Sequence, residues 1–140
     1  MRIPIDSFVP LLQVFDMPRA VAFYRDVLGF EVATTSAPRG QDDFDWCLLQ
    51  RGGIELMLNT AYDRDERPAV PDPGRVAAHK DTALFFGCPD VDGAYAALRA
   101  KGVATKAPSV ASYGMKQLYF RDPDGYEICL QWRATAVSGS

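Results

Sequence analysis

The chain has 140 residues, 48% of them apolar and 24% charged, and a formal net charge of −3. That length suits one domain able to bury a core, and the absence of a basic excess argues against a nucleic-acid partner. No apolar run is long enough to span a bilayer, and Pro4, Asp6 and Pro10 break up any signal-peptide core.

In chain order, the apolar run at residues 8–15 predicts a first strand. Asp16 follows as an N-cap, with Pro18 in the first helical turn, where its missing N–H costs nothing. Met17, Ala20, Val21 and Tyr24 then recur at helical spacing, and Gly29 ends the helix as a left-handed cap. Three strand-like stretches follow at 30–36, 44–50 and 54–59, the last two joined by the turn Arg51-Gly52-Gly53. Between 61 and 80 lies a polar segment with Pro68, Pro71, Pro73 and Gly74, read as a surface connection or a lid.

The second half repeats this grammar. Residues 82–88 predict a strand, Asp90 an N-cap, and Val91, Ala94, Tyr95 and Leu98 a helical stripe stopped by Gly102. A strand is expected at 103–106, then two more at 116–121 and 126–132 around Asp122-Pro123-Asp124-Gly125. Pro at the second position and Gly at the fourth suit a type I turn. Asp16 and Asp90, Val9 and Ala83, and Glu55 and Cys129 share one sequence offset of 74, which argues for internal duplication. The expected architecture is α+β: one domain over 1–140, built from two tandem βαβββ units at about 8–60 and 81–133. Their curved mixed sheet surrounds a cavity, with helices outside and a disordered tail at 134–140. Cys47, Cys88 and Cys129, odd in number and without C-x-x-C spacing, read as reduced thiols of a cytoplasmic protein.

Phe23-Tyr24-Arg25-Asp26-Val27-Leu28-Gly29-Phe30 resembles the F-Y-x-x-x-L-G-F signature of the vicinal-oxygen-chelate superfamily of glyoxalases, bleomycin-resistance proteins and extradiol dioxygenases. Phe120-Arg121-Asp122-Pro123-Asp124-Gly125-Tyr126 resembles its D-P-D-G motif before the last strand, and Asp90-Val91-Asp92 and Lys101-Gly102-Val103 are also similar to it. In metal-dependent members, the first and last strands of each unit supply the ligands. The resemblance puts those positions at Val9, Glu55, Ala83 and Cys129. Valine and alanine coordinate nothing, and a divalent ion needs three or four donors, so no metal and no other cofactor is expected. The lone His79 reads as a surface residue and Cys129 as a small buried hydrophobe.

Strand alternation then sets the parity of the pocket wall. The candidate ligand-binding residues are Gln13, Trp46, Glu55, Met57, Phe85, Gln117, Tyr119, Cys129 and Gln131. Trp46, Phe85 and Tyr119 offer flat surfaces, and the glutamines offer hydrogen bonds. Glu55 interrupts the run Ile54-Glu55-Leu56-Met57-Leu58. It is the candidate general acid or base, or else a relic ligand position hydrogen-bonded to a Gln or Tyr. The leading reading is a metal-free protein that binds a small apolar or aromatic molecule. The alternatives are a metal-dependent lyase of glyoxalase type and a metal-free enzyme using Glu55. A homodimer is expected from the resemblance alone.

Overall fold

A computed structural model describes residues 2–134. The expectation of a disordered tail falls, from residue 135 onward, outside the described residues. The chain divides into two compact units, Met1–Val70 and Pro71–Ser140, each with one four-stranded mixed sheet.

Unit one runs β1 (Leu11–Val14), α1 (Met17–Ala22) continuing into a π-helical turn (Phe23–Val27), β2 (Glu31–Thr35), β3 (Trp46–Arg51) and β4 (Ile54–Thr60). Its sheet order is β1-β4-β3-β2, with β1 parallel to β4 and the other pairs antiparallel. Asp16 caps α1: its carboxylate accepts the Arg19 N–H at 3.3 Å. Met17, Ala20, Val21 and Tyr24 are buried, as are Leu12, Val14, Cys47, Leu49, Leu56 and Leu58 on one parity of the sheet. Burial pushes the Cys47 thiol up to about 12. The strand expected from residue 8 begins only at Leu11. Pro10 has no N–H to give a ladder, although its carbonyl still accepts from the Met57 N–H at 2.9 Å.

Unit two contains α2 (Pro73–His79), β5 (Ala83–Gly87), α3 (Val91–Ala100), β6 (Ser109–Val110), β7 (Met115–Arg121) and β8 (Glu127–Arg133). The sheet order β5-β8-β7-β6 repeats unit one, again with first and last strands parallel. Asp90 caps α3 by accepting the Gly93 N–H at 2.9 Å. Val91 and Leu98 of α3, and Leu118, Phe120, Ile128 and Leu130 of the sheet, are buried. The strand expected at 103–106 reduces to an isolated bridge between Thr105 and Phe120; Pro108 intervenes before regular pairing resumes at Ser109.

The two helices differ by one residue. Gly29 stands thirteen residues after Asp16, whereas Gly102 stands twelve after Asp90. Both glycines close their helices at φ +76°. The additional residue in unit one is absorbed as the π-helical turn Phe23–Val27.

The connection at 61–80 is more ordered than its composition suggests. It holds a 3-10 turn (Arg64–Glu66) and α2, whose cap Asp72 accepts the Arg75 N–H at 3.1 Å. α2 buries no residue, so it leaves no apolar stripe to read in the sequence. His79 is not a free surface side chain. Its Nδ1–H donates to the Asp124 carbonyl at 2.7 Å, and its ring stacks on Tyr126 with centroids 3.9 Å apart. In unit one, Arg67 Nη2 lies 2.8 Å from Asp43 Oδ1, and Arg64 Nε 3.3 Å from Asp43 Oδ2. Asp43 is only 6% exposed. Its hydrogen bond from Arg67 holds the carboxyl below the usual range, against an opposing push from burial.

Two stability predictions follow from these contacts. A Cβ on Gly125, which has φ +86°, would stand 2.7 Å from Val76 Cγ1, whereas Gly114 at φ +85° has open space around it. Gly114→Ala should therefore show only the left-handed cost of about 1–2 kcal/mol. Gly125→Ala should cost more, and adding Val76→Ala should recover part of the excess in a urea-unfolding double-mutant cycle. Equal losses in the two single variants would refute the Val76 contact. For Asp43, a depressed folded pKa means stability that is present above the unfolded value and lost as pH falls through the folded one. Asp43→Asn should cost about 1–3 kcal/mol at pH 7. The deficit should shrink as pH falls below about 4, where the unfolded chain's carboxyl takes up its proton before the folded one does. A deficit independent of pH would contradict this.

Candidate functional site

In each unit, one parity of the sheet packs under the helix and the other is left open. The open parity carries the candidate residues. In unit one, Leu11 pairs with Met57 and Gln13 with Asn59, while Trp46 pairs with Asn59, Leu48 with Met57 and Gln50 with Glu55. Gln13, Trp46, Glu55 and Met57 therefore share one face with Leu11, Leu48, Gln50 and Asn59. Leu11 is 43% exposed on that face. Gln50 Nε2 donates to Glu55 Oε2 at 2.9 Å, and Asn59 Nδ2 donates to Gln13 Oε1 at 3.4 Å. Glu55 is half-buried and partnered by an amide, not isolated among apolar groups.

In unit two, Phe85 pairs with Cys129, Tyr119 with Cys129, and Gln117 with Gln131. This brings Phe85, Gln117, Tyr119, Cys129 and Gln131 onto one face. Their side chains also form a connected cluster. Gln117 Nε2 donates to Gln131 Oε1 at 3.0 Å and to the Tyr113 hydroxyl at 2.7 Å, and Tyr119 donates to Gln117 Oε1 at 3.1 Å. Gln117 is buried, as a fully partnered amide can be. Phe85 meets Tyr119 edge to face at 6.2 Å and remains 50% exposed. Burial pushes the Cys129 thiol up, partly offset by its hydrogen bond with Tyr119. The Tyr119 phenol is also raised, first by burial and then by Cys129.

The donor positions implied by the resemblance can be judged within each unit. Met57 stands opposite Leu11, so Val9 and Glu55 lie two residues before that pair. In unit two, Ala83 stands opposite Glu127, whereas Cys129 stands opposite Phe85. Strand pairing thus makes Glu127 the counterpart of Glu55, two residues from the place given by the constant sequence offset. Glu127 is engaged by Arg121 at 3.4 Å and Glu55 by Gln50. Cys129 is fully buried, with its proton held more tightly than usual. Val9 and Ala83 have no donor atoms. Among the described residues, no group of three or more His, Cys, Asp or Glu side chains could hold a metal ion. The side chains at these positions do not fit a divalent ion.

Three neighbours of these faces escaped the sequence reading. Gln50 falls in a predicted strand, but its pairing with Glu55 depends on the length of the β3–β4 turn. Tyr113 sits on the 111–114 turn, where no periodicity marks it. Lys106 lies in a stretch expected to be a strand. It lines a hollow of about 760 Å³ with Val103, Ala104, Thr105, Tyr119, Arg121 and Glu127.

The sequence matches the family described as the Glyoxalase/Bleomycin resistance protein/Dioxygenase superfamily over residues 5–130. A lactoylglutathione lyase from Haemophilus influenzae is 29% identical over 128 residues, covering 84% of this chain and 85% of that protein. The uncharacterized protein YaeR of Escherichia coli is 29% identical over 108 residues, covering 76% and 80% of the two chains. Among solved structures, a bleomycin-binding protein complexed with bleomycin superposes with a TM-score of 0.66 at 22% identity, over 92% of this chain and 99% of that one. The two βαβββ units, their α+β architecture and the match across most of the chain place this protein in the Glyoxalase/Bleomycin resistance protein/Dioxygenase superfamily.

Proposed function

We propose that this protein binds a small, largely apolar or aromatic molecule without a metal ion, using the open sheet faces. The observation that carries this reading is Phe85. It stands half-exposed beside Tyr119, on a face whose polar groups are already tied to one another. Pre-paired amides and phenols do not need to reorganise when a ring settles on them, and the ring recovers apolar contact. Gln13, Trp46, Glu55 and Met57 are the corresponding contacts of unit one, and Gln117, Tyr119, Cys129 and Gln131 those of unit two. A strongly cationic ligand such as bleomycin fits poorly. The carboxylates on these faces, Glu55 and Glu127, are both engaged within their own unit. We further propose that the protein acts as a cytoplasmic homodimer, a reading supported by family resemblance and by its free thiols.

The similarity to a lactoylglutathione lyase raises a second reading, a metal-dependent lyase, which the side chains at positions 9 and 83 disfavour. A third is a metal-free enzyme with Glu55 as general base. These readings separate by measurement. Aromatic ligands should raise the melting temperature of the purified protein. Phe85→Ala should weaken the best ligand roughly tenfold, the equivalent of about 1.5 kcal/mol of apolar burial, while leaving the fold intact. Absence of any ligand-dependent shift across an aromatic panel would defeat the proposal, as would stoichiometric zinc, nickel or iron in metal analysis. Turnover of a bound ligand that disappears in Glu55→Gln would move the assignment to the third reading.

A further inference from the structure

The hollow beside Tyr119 carries a charge imbalance that the aromatic face does not explain. Its ionisable lining is Lys106, Arg121, Glu127 and the phenol of Tyr119. Arg121 is already committed: Nη1 donates to the Gly125 carbonyl at 2.9 Å, bracing the turn before β8, and Nη2 reaches Glu127 at 3.4 Å. Arg121 and Glu127 therefore cancel, and Lys106 has no ion pair among the described residues. The hollow is left with one uncompensated positive charge. Backbone contacts fix the stretch that presents it. Thr105 bridges Phe120, and its hydroxyl donates to the Tyr119 carbonyl at 2.8 Å. The cation thus stands on a segment anchored to the same strand that supplies the aromatic ring.

We propose that this hollow seats the carboxylate of the ligand, and that the ligand class is a monoanionic aromatic acid. The inference rests on the binding function proposed above and adds its charge. A single free ammonium matches a singly charged group. A phosphate would need more uncompensated cations than the lining offers. Tyr119, whose ring meets Phe85 edge to face at 6.2 Å, lines the hollow together with Lys106. A ring settled on this pair and an acid at Lys106 would therefore be joined by a short linker. Lys106 is the specificity-determining residue in this arrangement, because it is the lining cation that holds no part of the fold.

The test compares 3-phenylpropanoate with its neutral isostere 3-phenylpropanamide, each titrated into the full chain by NMR at low ionic strength, for wild type and Lys106→Gln. The acid should bind about fivefold more tightly than the amide to wild type, a modest ratio because Lys106 is solvent-exposed. Added salt should reduce the ratio. Lys106→Gln should abolish it by bringing the acid's affinity down to that of the amide. Equal binding of acid and amide by wild type, with shifts centred on Phe85 and Tyr119, would overturn the carboxylate assignment and leave the aromatic-binding function standing. A preference for the acid that survives in Lys106→Gln would also overturn it. Failure of both probes to bind a folded protein would remove the binding function and this inference together.

Discussion

In each unit the first strand pairs in parallel with the last, and this pairing decides everything that follows about the faces. Leu11 opposite Met57 and Phe85 opposite Cys129 fix the register of the edge strand against the sheet. Side chains alternate, so a slip of one residue would exchange the two faces completely. The apolar set Leu12, Val14, Leu56 and Leu58 in unit one, and Leu118, Phe120, Ile128 and Leu130 in unit two, makes that slip prohibitively costly. The helices cover these residues. The open faces are what remains, and their composition is free to serve something other than folding.

The two units show how much a duplicated scaffold can drift while keeping that pairing. One additional residue in the first helix is taken up as a π-helical turn, leaving the caps at Asp16 and Gly29 in their roles. The register of the last strand has moved by two residues relative to the sequence offset, so Glu127 and not Cys129 stands across from Ala83. A shift of two preserves parity, which is why both residues still belong to the open face. An odd shift would have buried Glu127 and exposed its neighbour Ile128.

The fold was legible because its signals are local and repeated. Asp before a helical stripe, glycine after it, and alternating strands around Gly52 and Gly125 each have a physical reason that needs no tertiary context. Less was legible where tertiary contacts decide. α2 buries nothing and sits in a Pro-rich stretch, so only its capping Asp72 and Pro73 could have announced it. His79 gave no hint of its partners, because Asp124 and Tyr126 lie far along the chain. The facial grouping of the candidate site followed from parity, but its hydrogen bonds did not. Glu55 reads either as an acid or base or as a relic position bonded to a Gln or Tyr, and which residue would partner it was hidden until Gln50 reached it across the hairpin. Tyr113 joins Gln117 from a turn where side-chain direction has no periodic rule.

What stands on an open face must be explained by something other than stability. Val9, Leu11, Ala83 and Phe85 contribute little to the covered core, so folding alone does not dictate their identities. A glutamate, histidine or serine at position 11 or 85 would hydrate better than a leucine or phenylalanine that is nearly half-exposed. Two large apolar side chains kept uncovered on matching strands represent a cost in water, which the proposed ligand contact would offset. The polar groups beside Phe85 have been arranged in the opposite sense: Gln117, Gln131, Tyr113 and Tyr119 satisfy one another before any ligand arrives. Under the proposed function, a face whose amides are already paired and whose ring at Phe85 is half-exposed would select by shape and apolar contact. Any charge preference must then come from its margin, where Lys106 stands.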